Sequence, residues 1–359
     1  MIEDHNIQIS EPEYRDLDYP SYSLLASISK QGVDVLTGVK GNFFQLKFGS
    51  LVDDMCFEPS KLVNYYHAKA ASPPTGNPKK IADAVLAGIN VEVGGVMESG
   101  GFIKTRKKKV TTDIKDYEAE CIAAVRSAVP KMYEKYDDKK IMGVMIDKCS
   151  DYFSDQLKTR GKVHIKPEMW ASALEAADTL KTHDFTKGYF VEEDGIDLYY
   201  QYKFVQEICG VKVKGMLDCM VVDHNSKTIY PVDLKTGESP ASMFDEVLLL
   251  HKYYLQASLY RAAIMKIVDK DPDLNRYTVA NFEFVYLSKM NLQKPLVWVT
   301  PAELHYAGFD GFTDRFGFKH KGLKELLEMF TECKSGMYCQ YTKETYNNEG
   351  RVMLKGLIR

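Results

Sequence analysis

Two short apolar runs, each carrying charge at the same distance from one tight turn, constrain this chain more than any other feature. The first is Val211-Lys212-Val213-Lys214-Gly215-Met216-Leu217-Asp218-Cys219-Met220-Val221-Val222-Asp223, with Asp218 set among apolar residues. The second, Thr228-Ile229-Tyr230-Pro231-Val232, ends in Asp233-Leu234-Lys235-Thr236-Gly237. Both are rich in β-branched and aromatic residues and are bounded by turn formers: Cys209-Gly210, His224 to Lys227, and Thr236-Gly237. They read as neighbouring antiparallel strands joined by a tight turn. Asp218 lies six residues before that turn and Asp233 six after it. Pairing across the turn therefore sets the two carboxylates side by side on one face. Lys235, two residues past Asp233, points to the same face by strand periodicity.

Charges inside apolar runs are costly unless they are paired or bound to metal. A salt bridge from Lys235 to one aspartate leaves the other unpaired, and two adjacent carboxylates repel unless a proton or a cation sits between them. An ammonium and two carboxylates on one patch suit phosphodiester cleavage. There a metal polarises the phosphoryl oxygen and acidifies a bound water, while the lysine orients that water or stabilises the developing charge. Downstream, Gln256 and Tyr260 are four residues apart, so a helix places them on one face, with Lys252 one turn earlier. A core helix would put leucine or valine there, so an amide and a phenol predict a water-facing groove over the site.

In this order, Asp218, then Asp233-x-Lys235, then Gln256-x-x-x-Tyr260, the segment resembles the PD-(D/E)xK nuclease superfamily, in the branch that holds the RecB nuclease domain, the RecE exonuclease and lambda exonuclease. Asp218 matches the first acidic residue of that motif, Asp233 and Lys235 match its (D/E)xK part, and Gln256 and Tyr260 match the branch's Q-x-x-x-Y element. Upstream, Phe48-Gly49-Ser50-Leu51-Val52-Asp53 is similar to its G-x-x-x-H element, with Asp53 standing where the family has histidine; aspartate serves a hard cation at least as well. The resemblance implies an α/β (α+β) fold, a mixed central β-sheet flanked by helices around a restriction-endonuclease-like core. It implies Asp218, Asp233 and Lys235 as catalytic residues. Mg²⁺ or Mn²⁺ would be held by Asp53, Asp218, Asp233 and the backbone carbonyl of Leu234, with DNA contacted by Gln256 and Tyr260. The expected activity is exonucleolytic cleavage from DNA ends. The alternatives are a structure- or sequence-specific endonuclease of the same fold and a non-catalytic DNA-binding module. A strand-annealing or recombination protein and a homo-oligomer are the partners such relatives suggest.

The net charge of −3 does not announce a nucleic-acid binder, but its distribution is informative. Lys104-Thr105-Arg106-Lys107-Lys108-Lys109 carries five cations in six residues after a glycine-rich stretch, and Lys107, Lys108 and Lys109 are candidate phosphate contacts; a solvated loop is the competing reading. No apolar stretch approaches the roughly 20 residues that span a bilayer. The polar N-terminus does not read as a secretory signal, and seven scattered cysteines fit reduced thiols, so a cytoplasmic location is expected, which the resemblance implies is that of a bacterial or phage-infected cell. Some nucleases of this superfamily hold an iron-sulfur cluster on four cysteines. Here Cys56, Cys333 and Cys339 fall one short, and Cys209 and Cys219 read as core-packing thiols, so no cluster is expected.

Three zones are expected: a mainly helical part over 1–190 that contributes to the nuclease fold, the nuclease core over 191–310, and a helical extension over 311–359. Helices are predicted from Ser21, over Gly49 to Tyr66, at Lys80 to Ala87 and at Tyr117 to Ala128. Further helices are predicted over Pro167 to Thr182 (Trp170, Leu174 and Ala177 inward), over Phe244 to Val268, and around Leu323 to Phe330. Strands at Phe282 to Leu287 and Leu296 to Val299 extend the sheet.

Overall fold

The computed structural model describes residues 2–37, 47–67, 73–89, 111–129, 131, 133–160, 162–337 and 346–351. It divides into two compact units, Met1–Pro59 with Ser172–Arg359, and Ser60–Ala171. This partition does not follow the sequence boundaries at 190 and 310. The N-terminal segment joins the first unit because it borders the sheet: the Ile7 amide donates to Lys203 O at 3.0 Å, and the Lys214 amide donates to Pro20 O at 3.0 Å.

The first unit is built on a mixed sheet flanked by helices. Its strands β1 (Ile196–Ile208), β2 (Val211–Asp223), β3 (Thr228–Gly237), β4 (Glu283–Ser288) and β5 (Leu296–Val299) lie in that spatial order. All neighbours are antiparallel except β3 and β4, which run parallel. Thr278–Val279 adds a short parallel pairing to β3. A parallel pair needs a long crossover. Two helices supply it, α3 (Phe244–His251) and α4 (Tyr253–Lys270). Leu255, Leu259, Ile264 and Ile267 of α4 share one core with Phe204, Val213, Leu217, Met220 and Phe284 of the sheet. That core also takes Leu25 and Ile28 of α1 (Tyr22–Gln31), which Ser21 caps, and Leu323, Leu326 and Leu327 of α5 (Leu323–Lys334). Each such buried side chain contributes about 1.5–3 kcal/mol, so α4 is held firmly beneath β2 and β3.

The β1–β2 hairpin turns on Cys209 (φ 50°) and Gly210 (φ 77°). Two left-handed residues match the twist of the flanking strands. Cys209 is consequently exposed and not a core thiol, whereas Cys219 is buried. The helix expected over Gly49 to Tyr66 is two: α2 (Lys47–Phe57) and a short turn, Lys61–Tyr65, separated where Pro59 disfavours helix for its predecessor. Pro167–Thr182 has the bounds expected, but it buries Ala173, Ala176, Ala177 and Leu180 and leaves Leu174 half exposed.

The second unit packs the helices Asn77–Gly88, Glu118–Ala128 and Asp138–Lys158 around Ile81, Val85, Cys121, Ile141, Met145, Cys149 and Phe153. Two residues, Tyr66–His67, pair in parallel with Val163–His164.

Candidate active site

The antiparallel pairing of β2 with β3 stops at Cys219↔Val232. One step further the partners would be Asp218 and Asp233, and there the strands part. At Lys214 the same edge of β2 is already bonded to Pro20 and bridged to Ser21. The fork between them is filled by side chains. The Leu234 amide donates to Asp218 Oδ2 at 2.9 Å, replacing a ladder bond with a carboxylate. Asp233, 2% exposed, accepts from Gln256 Nε2 at 2.5 Å through Oδ1 and from the Lys235 ammonium through Oδ2. Tyr260, buried below, meets the Met216 backbone amide and packs edge-on against Phe204 with ring centroids 5.4 Å apart.

Helix α2 enters from beside β3. A Cβ on Gly49 would lie 3.2 Å from Thr236 Oγ1, so glycine permits the close approach of helix to strand. Asp53 follows one helical turn later, on the same side as Gly49. The ammonium of Lys235 stands 4.9 Å from the ring centroid of Tyr253, a cation–π contact. Tyr253 reaches it because Lys252 takes a left-handed conformation (φ 63°, ψ 30°) that ends α3 and starts α4 afresh.

Burial pushes the Asp218 carboxyl up to about 8, and the neighbouring Asp233 pushes the same way against Lys235 and the Leu234 amide. Burial, then Asp218, raises Asp53 well above the carboxylate range. Burial works against the Lys235 ammonium, yet Asp233 beside it holds its pKa above the ordinary lysine value. The cluster thus holds more carboxylates than one ammonium can balance. Because Asp218 is raised in the folded state, the folded chain binds its proton more tightly than the unfolded chain. Stability from this group is complete below pH about 4 and is lost as pH rises toward about 8. In chelator-treated protein the unfolding midpoint should fall across that window, and Asp218→Asn should flatten the fall. A wild-type midpoint insensitive to pH there would refute the coupling.

A hard divalent cation is a chemical match for this set: every donor is oxygen, the charge excess is negative, and the buried Gln256 Oε1 has no hydrogen-bond partner among the described residues. Among the described residues no three His, Cys, Asp or Glu side chains are already gathered as a cage, and the Lys235 ammonium is bonded to Oδ2 of Asp233. Asp218 and Asp233 fit such an ion as a pair, with Asp53 in their electrostatic reach.

Of the residues singled out in the sequence, Asp53, Asp218, Asp233, Lys235, Gln256 and Tyr260 converge here. Leu234 offers its amide to Asp218. Gln256 and Tyr260, 4% and 5% exposed, do not line a water-facing groove; they are buried and support the fork from beneath. Lys252 does not share their face, since the break in the helix sends its ammonium to His320 Nδ1 at 3.1 Å. Lys107, Lys108 and Lys109 lie outside the described residues. Two participants carried no sequence signal: Tyr253, which needs the break at Lys252, and Gln201, opposite Asp218 on β1.

No known protein family and no curated protein matches this chain. Among solved structures it is similar to "Putative exonuclease" from Eubacterium rectale, at TM-score 0.35 and 13% identity over 70% of this chain and 79% of that one. Likeness at that level does not bear on activity. Among the described residues no helix is long and apolar enough to cross a membrane.

Proposed function

We propose that the protein is a metal-dependent nuclease that hydrolyses DNA phosphodiester bonds from strand ends. The observation that carries this reading is the fork itself: Asp218, Asp233 and Lys235 meet where two paired strands separate, with Asp53 acting on the same charges. Asp218 and Asp233, aided by Asp53 and the Leu234 carbonyl, would hold Mg²⁺ or Mn²⁺. When bound, such an ion supplies Lewis acidity to the phosphoryl oxygen and the attacking water. Lys235 stays charged near neutrality, so it serves as an electrostatic and orienting group and not as a base. Gln256 fixes the carboxylate plane of Asp233 through its amide, and Tyr260 braces β2 at Met216.

The choice of ends over sequence rests on the parts available. Reading sequence requires side chains placed against base edges. This chain offers one catalytic core and basic stretches suited to phosphates, Lys107 to Lys109 foremost. A strand-annealing or recombination protein and a homo-oligomer belong to the same proposal. End-labelled linear DNA and a covalently closed circle of the same sequence, each with and without Mg²⁺, test it. Linear DNA should be shortened progressively from its termini only with the metal, while the circle survives. Discrete fragments from the circle would establish the endonuclease alternative, and degradation in excess EDTA would remove the metal from the reading.

A further inference from the structure

We propose that the left-handed backbone of Gln201 is the device that turns Asp218 into the fork, making Gln201 a positioning residue for the site. That Asp218 matters to function rests on the nuclease proposal; its placement by Gln201 does not. Gln201 has φ 49°, in a long strand where extended backbone is the rule. An L-residue adopts that conformation at a cost, and such strain persists only where the surroundings enforce it. The β1–β2 register runs from Ile196↔Asp223 to Ile208↔Val211 with constant offset, and its one omitted pair is Gln201 with Asp218.

The consequence is visible on both strands. In a regular strand, residues of equal parity share a face. On β1, Tyr202 and Phe204 pack in the core with α4, and so does Tyr199, of opposite parity. Tyr200 instead turns to the far face, where its ring stands 5.2 Å from Phe57 and its hydroxyl donates to Tyr189 O at 3.0 Å. On β2, Val213 and Leu217 face α4, then Met220 and Val222 do, while Cys219 Sγ approaches Tyr189 O at 3.8 Å on the far face. Alternation therefore inverts on both strands across one level, that of Gln201 and Asp218. No residue is inserted, so the register is kept on both sides while Asp218 leaves the ladder and presents Oδ2 to the Leu234 amide. The Gln201 side chain reaches Asp218 Oδ1 only at 3.5 Å, too long for a strong bond, so the backbone and not the amide carries the effect.

The test is hydrogen exchange of the Leu234 amide, read by NMR on the full chain without metal, in Gln201→Gly, Gln201→Ala and Gln201→Val. Glycine adopts positive φ freely, alanine reluctantly and a β-branched residue hardly at all. Leu234 protection should stay within about twofold of wild type in the glycine variant and fall about tenfold in the valine variant, with alanine between. Core amides such as those of α4 should keep their protection, which separates local release of Asp218 from general destabilisation. Loss of protection in the glycine variant would overturn the proposal in favour of the side-chain amide, and equal protection in all three would overturn it outright. If the valine variant does not fold, the glycine–alanine difference decides, and its absence refutes the proposal. Mn²⁺ binding followed by electron paramagnetic resonance should rank the variants in the same order. A wild-type chain that binds no Mn²⁺ would sink the metal reading while the Leu234 result still judged Gln201.

Discussion

Asp218→Asn should lower DNA cleavage by about 10³-fold, some 4 kcal/mol of barrier, and at the same time stabilise the metal-free protein at alkaline pH. The two effects share one cause. Asp218 sits where burial and Asp233 both oppose its charge, which places its proton loss at about 8. An amide of the same shape can still accept from the Leu234 N–H and carries no charge to be opposed. Removing the carboxylate therefore relieves repulsion in the empty site and removes one ligand oxygen from the loaded one. Asp233→Asn should cost a similar factor in rate but should not stabilise. Asp233 is also the partner of the Lys235 ammonium and the acceptor for Gln256, so its loss leaves a largely buried cation unbalanced. Breaking one side of a buried pair is strongly destabilising. Cleavage assays at saturating Mg²⁺ beside thermal melts in chelator at pH 9 measure both effects. Full activity in Asp218→Asn, or equal stability changes in the two variants, would contradict this division of labour.

The expected divergence of two aspartates that face each other one step past the last β2–β3 pair marks where sequence reasoning ends. The strands, their turn and the meeting of Asp218 with Asp233 are legible because alternation and turn chemistry are local and strong. The effects of a single backbone angle are not legible in that way. Lys252 reads as one more residue of a helix from Phe244 to Val268; its left-handed conformation divides that helix and delivers Tyr253 to Lys235. Gln201 sits in an aromatic strand with nothing to announce φ 49°. The burial of Gln256 and Tyr260 is hidden for a different reason. Polar residues at helical spacing suggest a wet face, but a fork between strands creates buried hydrogen-bond demand that only polar residues can meet. In the second unit, Ile141, Met145, Cys149 and Phe153 recur every fourth residue along Asp138–Lys158. The charged residues between them and Gly143 dilute the stripe, so no helix is predicted there from the sequence, although this one is the longest described.

Lys235→Ala should lose turnover by about 10²–10³-fold, the scale for removing one preorganised electrostatic donor, and should leave DNA affinity close to wild type. Lys235 is held inside the cluster by Asp233 and lies against the ring of Tyr253, so in the free protein its charge is spent on the carboxylate and not displayed to a phosphate. A group buried in that way adds little to ground-state attraction. Its value comes when negative charge builds on the phosphoryl group, which is an interaction confined to the transition state and read as a fall in kcat without a rise in KM. Lys235→Arg should not restore the rate: a planar guanidinium cannot take the compact position between Asp233 and Tyr253. The substitution to alanine has a second, opposite consequence for the cation. With the ammonium gone, Asp233 Oδ2 is released, so Mn²⁺ should bind Lys235→Ala at least as tightly as wild type while cleavage collapses. Titration with Mn²⁺ and single-turnover cleavage at saturating DNA separate these quantities. Parallel losses of DNA affinity and rate would make Lys235 a phosphate anchor, and weaker Mn²⁺ binding would show that its charge organises the carboxylates instead of competing for them.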